Sequence, residues 1–273
     1  MQKIYINYAN DDFKVQQNVN SKQAKEIGNA DRVISYNPND IDDEFYNANK
    51  NILNKVRGGG YWLWKFYIIH KTLTDKSVKD GDVVFYCDSG ADILKDLTPV
   101  FNMPNKYNQD IVLFCSDEKC KNVTKKDTFI LMGCDVKEAH DFPIVAGGFN
   151  IWKKSTKSIK FIEECLKYAC QSKIIDDSKS TIGKELPEFI MHRHDQCVFS
   201  LIAYKMGIKA ISITESKIYC DNQDIKPDTF IKNNRKNNRS RIRKYIYSIA
   251  MLPEKFQKYG GALKYILRQF YKK

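Results

Sequence analysis

Short apolar runs bounded by turn residues alternate with longer stretches of helical periodicity through the first 228 residues, the pattern of an α/β fold. Residues 4–8, 31–36, 82–87, 110–115, 128–132 and 210–213 read as strands. The run Val83-Val84-Phe85-Tyr86-Cys87 is apolar almost throughout, as in a strand covered on both faces. Helical spacing predicts helices over 21–27, 43–56, 61–74, 156–170 and 195–206. In the fourth of these, Phe161, Ile162, Cys165, Leu166 and Ala169 share a face and are candidate core residues. Gly28 and Gly207 close two helices, and Gly58-Gly59-Gly60 interrupts the second and third. No internal repeat is visible.

At 273 residues the chain suits one α/β domain with an appendage, and 42% hydrophobic with 29% charged residues is ordinary globular composition. No apolar run approaches the roughly 20 residues of a membrane span. The opening segment reads as a strand, without the long apolar core of a signal peptide, so a cytoplasmic location is expected. The 8 cysteines form no CxxC pair, and Cys115 and Cys120 are too far apart for one; reduced thiols are the expectation.

Charge divides the chain. Residues 229–273 hold 13 Lys/Arg against a single acidic residue, Glu254, and so carry the entire net charge of +12, while residues 1–228 balance to zero. The boundary separates a catalytic domain, 1–228, from a basic tail, 229–273. In the tail Ile242, Tyr245, Ile246 and Ile249 share one helical face, and Leu263, Ile266, Leu267 and Phe270 share another beyond Gly260-Gly261. Basic amphipathic helices of this kind lie on anionic membranes, which predicts a peripheral association with the inner face of the cell membrane. A helical hairpin packed on the domain is the alternative. Basic charge also suits nucleic acid. A neutral first 228 residues and the lack of any helix-turn-helix, RRM or zinc-finger pattern speak against a nucleic-acid partner.

Four segments could carry chemistry. The strand at 83–87 ends in Asp88-Ser89-Gly90-Ala91-Asp92, and ligands of open α/β sheets sit beyond the carboxyl ends of strands. An Asp there can hold a divalent cation that offsets diphosphate charge, or simply form a turn with Gly90. Arg57-Gly58-Gly59-Gly60-Tyr61-Trp62-Leu63-Trp64-Lys65 combines permissive backbone, stacking surface and a cation; core packing is the alternative for Trp62, Trp64 and Tyr67. His192-Arg193-His194-Asp195-Gln196 opens a helix, where Asp195 could touch a ligand or act as a helix cap. Ala146-Gly147-Gly148-Phe149-Asn150 could bring backbone close to a sugar or be a glycine turn.

Taken in order, the first strand, Arg-Gly-x-Gly-Tyr-Trp-x-Trp-Lys, Gly-Asp-x-x-x-Tyr-x-Asp-x-Gly, Ala-Gly-Gly and His-Arg-His-Asp-Gln resemble GT-A-type bacterial glycosyltransferases of O-antigen and capsular polysaccharide assembly, over about residues 1–220. The resemblance implies a GT-A-like (Rossmann-like) mixed sheet flanked by helices, with the basic helical tail appended. It implies transfer of a hexose from a nucleotide-sugar, a UDP-sugar of the UDP-galactose type, to a lipid-linked or oligosaccharide acceptor, with Mn²⁺ or Mg²⁺. Asp195 and Gln196 match the pair near the reacting sugar. Donor contacts are expected from Tyr8, Ala9, Asn10, Lys65, Tyr86, Asp88, Ser89, Gly90, Gly147 and Gly148. Asp88 matches the first carboxylate of an Asp-x-Asp-like motif. Gly90 stands where the second belongs, so Asp92 or His194 would complete the metal site. A nucleotide-sugar-binding protein without catalysis, or a nucleic-acid-binding protein acting through the tail, are the alternative functions.

Overall fold

Strand β1 (Lys3–Tyr8) sends Ile4 and Ile6 to one side of a sheet and Tyr5 to the other, the two-residue alternation of a strand buried on both faces. The computed structural model describes residues 1–220 and 228–233. After β1 the chain forms α1 (Lys14–Glu26), β2 (Arg32–Tyr36), α2 (Asp43–Leu53), α3 (Leu63–Thr74), β3 (Val83–Cys87), β4 (Ala91–Ile93), β5 (Ile111–Lys119) and β6 (Pro143–Lys153). Then come α4 (Thr156–Ala169), α5 (His194–Lys205), β7 (Ile211–Ser212), β8 (Tyr219–Cys220) and β9 (Ile231–Asn233).

The main sheet runs β2-β1-β3-β6-β5-β7, with β6 antiparallel to both of its neighbours. Chain order moves from β1 outward to β2 and then back across β1 to β3. The carboxyl ends of β1 and β3 therefore flank a topological switch point, where open α/β sheets form their ligand crevice. Val84 and Tyr86 join the core beneath α3, α4 and α5, where Phe66, Trp152, Phe161 and Phe199 interlock. Val83, Phe85 and Cys87 join a second core against Ala24, Leu97 and Phe101. A small second sheet, β4-β9-β8, draws β9 from beyond residue 228. No helix among the described residues is long and apolar enough to cross a membrane. The tail's predicted helical faces, 242–249 and 263–270, lie outside the described residues.

Several elements differ from the sequence reading. Residues 126–131 form a helical turn rather than a strand, with Asp127, Thr128 and Phe129 turned inward; so short an apolar run carries no periodicity to separate the two states. Helix α1 begins at Lys14 rather than at residue 21, because its buried face is amide, Gln16, Gln17 and Asn20, and gives no apolar signal. The glycines at 147 and 148 lie inside the 11-residue strand β6, not in a turn.

Candidate active site

A cavity of about 580 Å³ opens at the switch point. Its wall is built from residues 8–10 at the end of β1, 88–91 after β3, 146–149 of β6, 57–59, 62, 64 and 65 around the start of α3, and 191–196 at the head of α5. The four motif segments, spread over more than a hundred residues of sequence, thus converge on one crevice. Because β6 runs against its neighbours, its amino-terminal half lies beside the carboxyl end of β3, where Cys87 pairs with Phe149 and Asp88 N–H donates to Gly148 O at 2.8 Å.

Lys65 is the hub. Only 2% exposed, its ammonium donates to Gly147 O at 2.8 Å and to Asp195 Oδ2 at 2.5 Å, and lies 3.9 Å from Asp88 Oδ1. Burying an ammonium is costly unless it is paired and hydrogen-bonded, and here a carboxylate and a carbonyl do both. Asp195 is therefore no helix cap: the N-cap of α5 is Arg193, without a side-chain cap bond, and the Asp195 carboxylate turns to Lys65. Gly147 is required by space. A Cβ there would meet Asp195 Oδ2 at 2.6 Å, Gln196 Cγ at 3.1 Å and Lys65 Nζ at 3.2 Å.

Asp88 accepts a hydrogen bond from the buried Tyr86 hydroxyl, and its side chain remains 48% exposed to the cavity. Burial, then the Asp88 and Asp195 carboxylates, push the Tyr86 hydroxyl well above its usual range, so it stays a proton donor. Ser89 Oγ donates to Tyr8 O at 2.6 Å and ties the two strand ends together. Tyr8 stacks on Trp64 with centroids 3.8 Å apart, and both rings line the cavity. Asn10, in the same wall, keeps a buried Oδ1 without a hydrogen-bond partner among the described residues.

The glycine cluster forms a structure the sequence did not announce. Gly58, Gly59, Gly60, Tyr61 and Trp62 all have positive φ, between 50° and 98°. Tyr61 N–H reaches Arg57 O at 2.8 Å and Trp62 N–H reaches Gly58 O at 3.4 Å, so the segment is one turn of left-handed helix. Helix α3 accordingly starts at Leu63, two residues later than expected. Left-handed backbone costs an L-residue roughly 1–2 kcal/mol, which falls here on Tyr61 and Trp62. Trp64 Nε1–H donates to Gly58 O at 2.8 Å and pins the turn.

The two histidines of the His-Arg-His-Asp-Gln motif separate. His192 uses both nitrogens on the protein, Nδ1 accepting from Lys125 N–H at 3.3 Å and Nε2 meeting Ile174 O at 2.8 Å. His194 Nε2 lies 3.1 Å from Asp177 Oδ1, and the other oxygen of Asp177 lies 3.3 Å from Arg57 Nη1. Asp177 and the pairing role of Arg57 escape sequence reasoning, since an acidic residue in the loop after α4 gives no signal of a partner 120 residues earlier. The amides of α1 were missed likewise. Asn20 Nδ2 donates to Ala91 O at 2.7 Å, and Gln17 Nε2 donates to Tyr36 O at 2.7 Å and to Asn7 Oδ1 at 3.1 Å. That network braces β1, β2 and the 88–91 loop from below.

The expected metal ligands Asp88, Asp92 and His194 are not gathered. Asp92 lies 3.4 Å from the side-chain amides of Gln16 and Gln23, and His194 faces Asp177. Among the described residues no group of three His, Cys, Asp or Glu could hold a metal ion. Mg²⁺-like ions, however, are commonly held by one or two carboxylates with substrate phosphates and water completing the shell. Asp88, half exposed beside a buried lysine, fits that mode.

No protein-family model matches the sequence, and no curated protein matches it. Among solved structures, mouse xyloside xylosyltransferase 1 superposes with a TM-score of 0.50 at 8% identity, covering 86% of this chain and 98% of that one. Galactosyltransferase LgtC, solved with donor and acceptor sugar analogues, has a TM-score of 0.47 at 13% identity, covering 93% and 99%. The bifunctional WbbM protein has a TM-score of 0.48 at 9% identity, covering 87% of this chain and 46% of that one. The likeness is one of fold: the chain has the GT-A-like mixed sheet flanked by helices.

Proposed function

We propose that the chain is a glycosyltransferase that moves a hexose from a nucleotide-sugar, a UDP-sugar of the UDP-galactose type, to a lipid-linked or oligosaccharide acceptor in surface polysaccharide assembly. The observation that carries this reading is the convergence of Lys65, Asp88, Gly147 and Asp195 on one cavity at the β1/β3 switch point. Its volume lies within the roughly 300–1,000 Å³ of small-molecule sites. The shared fold is consistent with it.

In this reading the nucleoside lies against residues 8–10, where the unpartnered Asn10 Oδ1 offers an acceptor to the imide N–H of a uracil. The diphosphate lies at 88–90. Asp88 would hold a Mn²⁺ or Mg²⁺ ion, which supplies charge neutralisation for the departing diphosphate. Lys65 holds Asp195 in place and adds positive charge beneath the same site. Gly147 and Gly148 present bare backbone to the sugar, with Gln196 beside them. The decisive experiment is a thermal-shift panel of nucleoside diphosphates and UDP-sugars with and without Mn²⁺, followed by a UDP-release assay. A ligand that binds only the native state raises the melting temperature by mass action. Shift without turnover would indicate a binding protein; no shift with any nucleotide would end the reading.

The tail is proposed to dock on anionic membrane, supported by its charge and two apolar faces. Since β9 belongs to the small sheet, the test is truncation after Asn233, which should abolish co-sedimentation with anionic vesicles and spare nucleotide binding. Equal sedimentation of the truncated and intact chains would refute it.

A further inference from the structure

We propose that His194 is the general base of the transfer, taking the proton of the acceptor hydroxyl on Nδ1, with Asp177 as its positioning residue. The proposal rests on the glycosyltransferase reading above. In the step, the acceptor oxygen bonds to the anomeric carbon of the donor sugar as its proton passes to His194 Nδ1. The bond from that carbon to the phosphate oxygen breaks, and its electron pair leaves on the nucleoside diphosphate. The imidazolium so formed sits against the Asp177 carboxylate, and its proton returns to solvent after product leaves.

Elimination within the cavity points to this residue. Asp195 is engaged by Lys65 at 2.5 Å and turns to it. Asp88 receives the Tyr86 hydroxyl and lies 3.9 Å from the same lysine. His192 has both nitrogens occupied. Gln196 is neutral, and Arg57, Arg193 and Lys65 are cations. His194 alone of these pairs one nitrogen with a buried carboxylate, which fixes the Nε2–H tautomer and leaves the Nδ1 lone pair with no hydrogen bond among the described residues.

The ring lines the cavity with its side chain 3% exposed, and aromatic neighbours hold it there. It stacks on Tyr61 with centroids 5.1 Å apart and packs against Trp62 at 5.3 Å, the two L-residues of the left-handed turn. That gives the strain at Tyr61 and Trp62 a purpose, since it aims both rings at His194. The same pocket binds the far side of the relay, because Arg57 at the base of the turn grips Asp177. The charged and titratable groups facing His194 are Asp177, Arg57, Asp195 and His192. Burial lowers its proton affinity and Asp177 partly restores it, so the resting ring is neutral with its Nδ1 lone pair available.

The test compares wild type with His194→Asn and Asp177→Asn, using UDP-galactose as donor probe, simple methyl hexosides or water as acceptor, and UDP release as readout. Asparagine suits the φ of 46° at this position, so the backbone is preserved. UDP affinity, measured by calorimetry, should be unchanged in both variants. In His194→Asn, kcat should fall about 10²–10⁴-fold and the acidic limb of the kcat/KM profile should disappear. Asp177→Asn should lose activity and displace that limb. Independently of turnover, ¹⁵N-histidine NMR should show the Nε2–H tautomer at His194 in wild type and a mixture in Asp177→Asn. A wild-type acidic limb that persists in His194→Asn, or an Nδ1–H tautomer, overturns the proposal and leaves the glycosyltransferase reading standing. Wild-type protein that neither binds UDP nor releases it overturns both.

Discussion

Lys65 and Lys125 are each 2% exposed, and each buries an ammonium against a carboxylate, yet the two sites are built differently. Lys125 donates to Asp176 Oδ1 at 2.7 Å, Asp176 O at 2.8 Å and Ser178 Oγ at 3.2 Å, all within one short loop. Lys65 draws its partners from β6 and α5, and lies 3.9 Å from Asp88 in the loop after β3. The first is a local clamp that shapes the approach to Asp177. The second joins three segments, each of which lines the cavity. Equal burial therefore says little about role; the number of separate segments a buried charge unites says more.

The largest test of that contrast is Lys65→Met. It should lose UDP release entirely and lower stability by about 3–5 kcal/mol in urea titration, because Asp195 is left buried and uncompensated. Adding Asp195→Leu should recover much of the stability without any activity. Recovery of turnover in the double variant would show that the pair is only structural. Lys125→Met should destabilise by a similar amount, about 3–5 kcal/mol. Its kcat should fall through Asp177 and His194 while UDP affinity holds. If Lys125→Met instead lost nucleotide binding, the division between the two lysines would collapse.

A smaller effect is expected at Gly147→Ala, where the new Cβ must displace Asp195 or Gln196. Overpacking of this kind costs about 1–3 kcal/mol, and kcat should drop disproportionately because the displaced atoms belong to the site. Gly133→Ala is not a fair control, because its φ of 65° adds strain of its own. The smallest effect is on pH. Burial first, then His194 and Lys125, hold the His192 proton affinity well below the ordinary value of 6.5. The unfolded chain therefore binds more protons below that pH, and stability falls as pH drops from about 6.5, by at most about 1.4 kcal/mol per pH unit for this histidine. Melting temperatures from pH 8 to pH 5 should show the decline, and His192→Gln should flatten it.

Much of the architecture was legible because β1, β3 and the helices over 156–170 and 195–206 declare themselves by apolar spacing. The cavity-lining segments were legible too, since the Asp88 loop, the glycines before Lys65, Gly147-Gly148 and the head of α5 each cluster Gly, Asp, Lys or His at a short spacing. Their convergence was expected, and the bond between Lys65 and Asp195 was not. What stayed hidden shares a cause. The inner face of α1 is amide, β6 carries a glycine at 147 that leaves room for Asp195, and the partner of His194 is a loop aspartate. In each case polar groups satisfy one another across long sequence separations, and such pairing leaves no local pattern.

The left-handed turn at Gly58–Trp62 carries a stereochemical consequence. Its backbone is the mirror image of an ordinary helical turn, so it is the one stretch of the described chain where a D-amino acid is native-like over several residues. A chain assembled by ligation with D-alanine at Gly59 should keep its fold and gain about 0.4–1 kcal/mol by restricting the unfolded state. The L-enantiomer at the same atom should lose stability, although its nearest neighbour, Trp64 Nε1, lies 3.7 Å away and leaves it room. Two proteins identical in composition, mass and sequence of side chains would then differ in melting temperature through handedness alone.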